Sequence, residues 1–148
     1  MFGEKLEKTL RTILDRLKEK NIGWMLAGSS NMAFQGINIV PRDLDVIVRF
    51  RDLKKIGEIF SDCEVSEIRE LKPLIDKPAW ELIMTIEWVE VQVLGEMDDG
   101  EHVRFLLSGK TVEMGEIVCF DLKTEAEVYA KTGRLDRADM IKNFLKKD

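Results

Sequence analysis

Residues 25–48 read "MLAGSSNMAFQGINIVPRDLDVIV", and the fold turns on this stretch. The short apolar run from Trp24 to Ala27, stopped by Gly28, has the pattern of a buried strand. In the Gly28-Ser29-Ser30 corner either serine can cap a helix that runs to about Gln35 and is closed by Gly36. Pro41 keeps the residue before it extended, and "LDVIVRF" at 44–50 then resumes strand pattern. The unit is strand, glycine turn, helix, strand.

Side chains alternate along a strand, so Asp43 and Asp45 point one way while Leu44, Val46 and Val48 point the other. Two carboxylates held this close raise each other's pKa unless a cation lies between them, and Mg²⁺ takes one or two carboxylates together with phosphate oxygens. An isolated D-x-D also suits a solvated strand start. The Gly28-Ser29 corner upstream shifts the balance, because free backbone N–H groups at a helix start attract phosphate; a plain serine-capped turn is the other reading. Glu90 is the best third acid. In "EWVEVQVLG" Trp88, Glu90 and Gln92 share one face and Val89, Val91 and Val93 the other, although a solvent-facing strand glutamate fits the same pattern.

Working outward, Phe2, Leu6, Leu10, Ile13, Leu14 and Leu17 recur at helical steps, giving an amphipathic helix over 3–20 that Asn21 and Gly23 can end. Asp52 is placed to cap a helix carrying Leu53, Ile56, Ile59 and Phe60, and residues 63–70 suggest an edge strand. "AWELIMTIE" and "WVEVQVLG" predict a hairpin around Glu87. An acidic loop follows, then a strand-like region to Phe120 broken at Gly109 and Gly115. Helices are predicted over 122–131 and 135–147, interrupted at Gly133. This order predicts an α+β (α/β layered) domain spanning 1–148, with a mixed sheet flanked by helices.

With 148 residues, 45% hydrophobic and 34% charged, the chain has the composition of a globular domain with a real core. No apolar run approaches the ~20 residues of a membrane span and the first ten residues are charged, so the expectation is a cytoplasmic protein with no membrane partner. Cys63 and Cys119 are expected as buried thiols. His102 is the only histidine, which excludes a Cys/His zinc cluster and any Ser-His triad built without it. A net charge of −5 argues against general duplex DNA binding.

Together, Gly28-Ser29, Asp43-Leu44-Asp45 and Glu90 resemble the nucleotidyltransferase superfamily typified by DNA polymerase beta. "GSSNMAFQG" is similar to the turn and helix of its small bacterial and archaeal branch, which includes lincosamide and aminoglycoside nucleotidyltransferases and abortive-infection toxins. "AKTGRLDRADM", with Lys131, Arg134, Asp136 and Asp139, is similar to that branch's final helices. The resemblance implies two Mg²⁺ ions held by Asp43, Asp45 and Glu90, with a nucleoside triphosphate (ATP or another) bound through Gly28, Ser29, Ser30, Lys131 and Arg134. It also implies transfer of a nucleoside monophosphate to an acceptor hydroxyl or phosphate, on a small molecule, RNA end or protein.

Lys131, Arg134 and Arg137 can equally be solvated helix cations paired with Asp136 and Asp139. Ile39 and Pro41 stand where the branch commonly has R-x-T, and the third acid is Glu rather than Asp. A catalytically idle nucleotide-binding or toxin–antitoxin regulatory module is therefore the alternative. A partner domain using Trp80, Trp88 and Met97 is a third, and a homodimer that completes the cleft is also open.

Overall fold

The computed structural model describes residues 2–72 and 77–147. Helix α1 (Glu4–Glu19) buries Leu6, Leu10, Ile13, Leu14 and Leu17. It ends as expected at Asn21, whose φ of 55° lets the Ile22 N–H reach back to Leu17 O at 3.0 Å. Strand β1 (Trp24–Ala27) runs into α2 (Gly28–Phe34), then β2 (Leu44–Arg49) and α3 (Leu53–Ile59). The predicted edge segment is two short strands, β3 (Glu64–Val65) and β4 (Arg69–Leu71), both pairing with β5 (Ala79–Ile86). β5 and β6 (Val89–Glu96) form the predicted hairpin, with Ile86 opposite Val89.

The sheet order is β3-β5-β6-β2-β1-β8-β7, where β7 is Thr111–Met114 and β8 is Ile117–Phe120. It is mixed, as predicted: β2 is parallel to β6 and antiparallel to β1, and β1 is parallel to β8. Two helices, α5 (Leu122–Lys131) and α6 (Leu135–Lys146), complete the chain. No helix among the described residues is long and apolar enough to cross a membrane.

The alternation in β2 sorts the two faces. Leu44, Val46 and Val48 join α1, Leu53, Ile56 and Phe60 in one core. Ile47 faces the opposite layer with Met25, Ala27, Val103, Phe120 and Val128. Fully burying a side chain such as Phe60 on one face or Phe120 on the other contributes about 1.5–3 kcal/mol, so both layers hold the central strands in place.

Four local expectations are corrected. Residues 103–108, expected as strand, form α4 (Val103–Ser108), because its start is capped from another element: Glu96 Oε1 accepts the N–H groups of His102 and Val103 at 2.8 and 2.9 Å. Neither Ser29 nor Ser30 caps α2; Ala27 holds the cap position and the Ser30 hydroxyl turns back to donate to Ala27 O at 2.9 Å. Asp52 precedes α3 but makes no capping bond; it closes a single 3₁₀ turn and is buried. Cys119 is buried as expected, whereas Cys63 is only half-buried, beside Asp62.

Candidate active site

The chain turns directly from β1 into α2 at Gly28. Gly28 has φ +68°, and a Cβ on it would run into the Asp45 carboxylate, so two separate constraints select glycine. Asp45 pairs with Ala27 across the β1–β2 ladder, which brings its side chain against the turn. Ser30, fully buried, locks the junction: its hydroxyl accepts the Asp45 N–H at 3.1 Å while donating to Ala27 O.

Asp45 lies opposite Gln92 in the parallel β2–β6 ladder, and Leu44 opposite Val91. Asp43 and Glu90 stand one step beyond that pairing, both half-buried, and Gln92 Nε2 donates to Glu90 Oε2 at 3.2 Å. The acids sense one another. Burial and then the Asp43 charge push Asp45 up to about 7, against the pull of Arg137. Asp43 is raised by burial and by Glu90, against Arg42. Crowded carboxylates that resist ionisation, all hard oxygen donors, suit a divalent cation such as Mg²⁺. Among the described residues no three His, Cys, Asp or Glu side chains gather tightly enough to hold one ion; the neighbouring Asp43 and Asp45 oxygens would hold the cation, with Glu90 beside them across the β2–β6 ladder.

The turn's own polar groups are largely engaged. The Gly28 N–H, expected to hold phosphate, donates instead to Glu125 Oε2 at 3.1 Å, and the Ser30 hydroxyl is spent on Ala27 and Asp45. Ser29 is half-buried, and its hydroxyl makes no hydrogen bond among those of the described residues. Of the predicted cations, Lys131 Nζ lies 3.9 Å from Glu101 and Arg134 Nε 3.4 Å from Asp136, both on the surface. Arg137, which hydrogen-bonds the Tyr129 hydroxyl at 3.4 Å, acts on Asp45 with its charge, as His102 does more weakly.

Beneath the acids lies a buried polar layer that sequence reasoning missed. Asp121 caps α5 by accepting the Thr124 N–H at 3.0 Å, and one turn in stands Glu125, 3% exposed. Its Oε1 accepts Asn31 Nδ2 at 2.8 Å, and Asn31 also donates to Phe120 O at 2.9 Å. Burial pushes Glu125 up to about 7, although the bonds from Asn31 and Gly28 pull it down. Nearby, His102 Nδ1 and Glu96 Oε2 meet at 2.8 Å. Burial alone would lower His102, but the bond and charge of Glu96 outweigh it and the histidine is raised; Glu96, opposed by its own burial, is lowered by His102 and the backbone N–H groups. A signal for Glu125 was available: Leu122, Glu125, Ala126 and Tyr129 fall on one helical stripe, and a glutamate inside an otherwise apolar stripe must find partners.

No protein-family model matches the chain, and no curated protein matches it in sequence. Among solved structures, a Thermotoga maritima protein described as a "putative nucleotidyltransferase" superimposes with a TM-score of 0.73 at 23% identity, over 100% of this chain and 97% of that one. Two Helicobacter pylori structures are more distant: JHP933, with a TM-score of 0.51 at 13% identity, and a second "putative nucleotidyltransferase", 0.50 at 14%. The chain spans a little over half of each, 57% and 55%, while 86% and 82% of it is matched. The fold of this chain is a nucleotidyltransferase-like mixed sheet flanked by helices.

Proposed function

We propose that the chain is a nucleotidyltransferase that moves a nucleoside monophosphate from a triphosphate to an acceptor hydroxyl or phosphate. The observation that carries this reading is the placement of Asp43 and Asp45 at the opening of β2, with Asp45 against the Gly28 turn and raised by burial and by Asp43, and Asp43 raised by burial and by Glu90. Asp43 and Asp45 would hold Mg²⁺, which when bound would supply positive charge toward the phosphate oxygens and lower the acceptor's pKa. The acceptor oxygen forms its bond to the α-phosphorus as the bridge to the β-phosphate breaks. Pyrophosphate leaves with the bridging oxygen, and Glu90 takes the acceptor proton.

Ser29 contributes its hydroxyl to the triphosphate. Arg137, whose charge acts on Asp45, joins Lys131 and Arg134 in neutralising the polyphosphate. Gly28 and Ser30 act by shaping the turn. Asp43→Asn tests the reading: Mg²⁺-dependent pyrophosphate release from a triphosphate disappears, and an unchanged rate would refute the assignment.

A second reading, a nucleotide-binding module without turnover, is favoured by the lack of a tight three-acid group among the described residues. It predicts heat of triphosphate binding with no pyrophosphate released across a broad acceptor panel.

A further inference from the structure

The two-residue turn between β5 and β6 is made of Glu87 and Trp88, with φ of 47° and 74°. Turns of this shape favour Asn-Gly because both central residues must be left-handed. A bulky residue there is a genuine outlier, and its left-handed backbone is costly. Trp88 is also 89% exposed, the most exposed large hydrophobic residue among those described. Its indole makes no hydrogen bond, ring contact or cation contact with the described residues. By contrast Trp80 stacks on Phe50, with ring centroids 4.0 Å apart, and Trp24 is buried. No partner among the described residues compensates the wet indole, and a bulky residue at such a left-handed position persists where function needs the side chain.

The location supplies the function. Trp88 precedes Glu90 by two residues, which is at most about 7 Å along the chain. It therefore stands at the end of the sheet where Asp43 and Glu90 meet, on the side assigned to the acceptor. We propose that Trp88 is the stacking platform for the acceptor, and that the acceptor carries a planar ring of low negative charge beside its reacting hydroxyl, as a nucleoside does. This inference rests on the nucleotidyltransferase reading for the word acceptor.

The charge pattern argues for low charge. The rim holds the carboxylates of Asp43, Glu87 and Glu90. Two cations face them: Lys8 Nζ is 3.3 Å from Glu87, and the charge of Arg42 acts on Asp43. Arg49, Arg51, Lys54 and Lys55 make a basic run, but it begins at the opposite end of β2, where Arg49 is tied to Asp98 by two bonds of 2.9 and 2.7 Å. A polyanion would meet no unbalanced cationic track here, whereas a ring needs only the indole face.

The test uses the full chain with Mg²⁺ and a non-hydrolysable ATP analogue filling the donor site. Adenosine, ribose and oligoadenylate are titrated against tryptophan emission, with Trp88→Phe used to subtract Trp24 and Trp80. Adenosine is expected to quench Trp88 and ribose to leave it unchanged. Trp88→Gly, read by calorimetry, should weaken adenosine binding about tenfold or more while the melting temperature holds or rises, because glycine relieves the left-handed backbone. Silence toward adenosine overturns the proposal. So does a fall in melting temperature in Trp88→Gly, which would make the indole structural, or a dimer that this variant dissociates. Oligoadenylate binding more tightly than adenosine overturns the low-charge part. Ring binding is read without turnover, so a protein that binds adenosine through Trp88 yet releases no pyrophosphate loses the nucleotidyltransferase reading and keeps the platform; turnover indifferent to Trp88 does the reverse.

Discussion

The Gly28 N–H donates to Glu125 Oε2 at 3.1 Å, joining the turn that carries Asp45 to a buried carboxylate on α5. A glutamate pushed up to about 7 from its ordinary 4.5 contributes stability that is fully present below pH 4.5 and is lost as pH rises through 7. Glu125→Gln removes the charge and keeps the shape. The melting temperature of this variant minus that of the wild type should therefore climb between pH 4.5 and pH 7.5, and thermal scans across that window check it. A flat difference would mean that the carboxylate bears no net penalty for ionising in the folded chain.

Gly28→Ala carries two penalties, a left-handed backbone and a Cβ driven into the Asp45 carboxylate. Gly109 separates them: its φ is +76°, but a Cβ there meets nothing within 4 Å. Gly109→Ala should cost about 1 kcal/mol for backbone alone. Gly28→Ala should cost clearly more in urea unfolding, and should also lose pyrophosphate release under conditions where it remains folded, because Asp45 is displaced.

How much of this was readable from the chain follows from how local each signal is. The alternation around Asp43 and Asp45 and the break at Asn21 are set by neighbours in sequence, and the strand parity of Glu90 follows from its own segment. The Gly28 corner was legible as a turn, but not the destination of its N–H, since the acceptor lies 97 residues away. Helix α4 was misread for the same reason: its cap is the Glu96 side chain on β6, and "VRFLLS" by itself carries no helical period. Trp88 drew notice as an aromatic, yet only the register of Ile86 with Val89 reveals that it occupies a left-handed turn position.

His102 and Glu96 form a pair with side chains only 20% and 6% exposed. Glu96 also accepts two backbone N–H groups, so His102→Gln leaves a buried carboxylate short of a cationic partner and should cost on the order of 3 kcal/mol. The signs give a window. Glu96, lowered, contributes stability present above 4.5 and lost as pH falls through its lowered value; His102, raised, contributes stability present below 6.5 and lost as pH rises through its raised value. The wild-type advantage over His102→Gln should be largest between pH 4.5 and 6.5 and shrink above it, as measured by denaturant titration at several pH values.

The cations near the helical break should separate by function. Arg134 meets Asp136 at the surface, with side chains 50% and 70% exposed, and such solvent-screened pairs contribute little. Arg137 is held by the Tyr129 hydroxyl and its charge acts on Asp45, drawing that carboxyl toward ionisation. Arg137→Gln withdraws that pull, so less Asp45 is ionised at neutral pH and the rising limb of any Mg²⁺-dependent activity should move to higher pH. Arg134→Gln should leave the limb where it is. A pH–rate profile of pyrophosphate release for the two variants, run side by side, decides between them. If both move the limb equally, the effect is the general field of the helix and not the placement of Arg137 beside the acids.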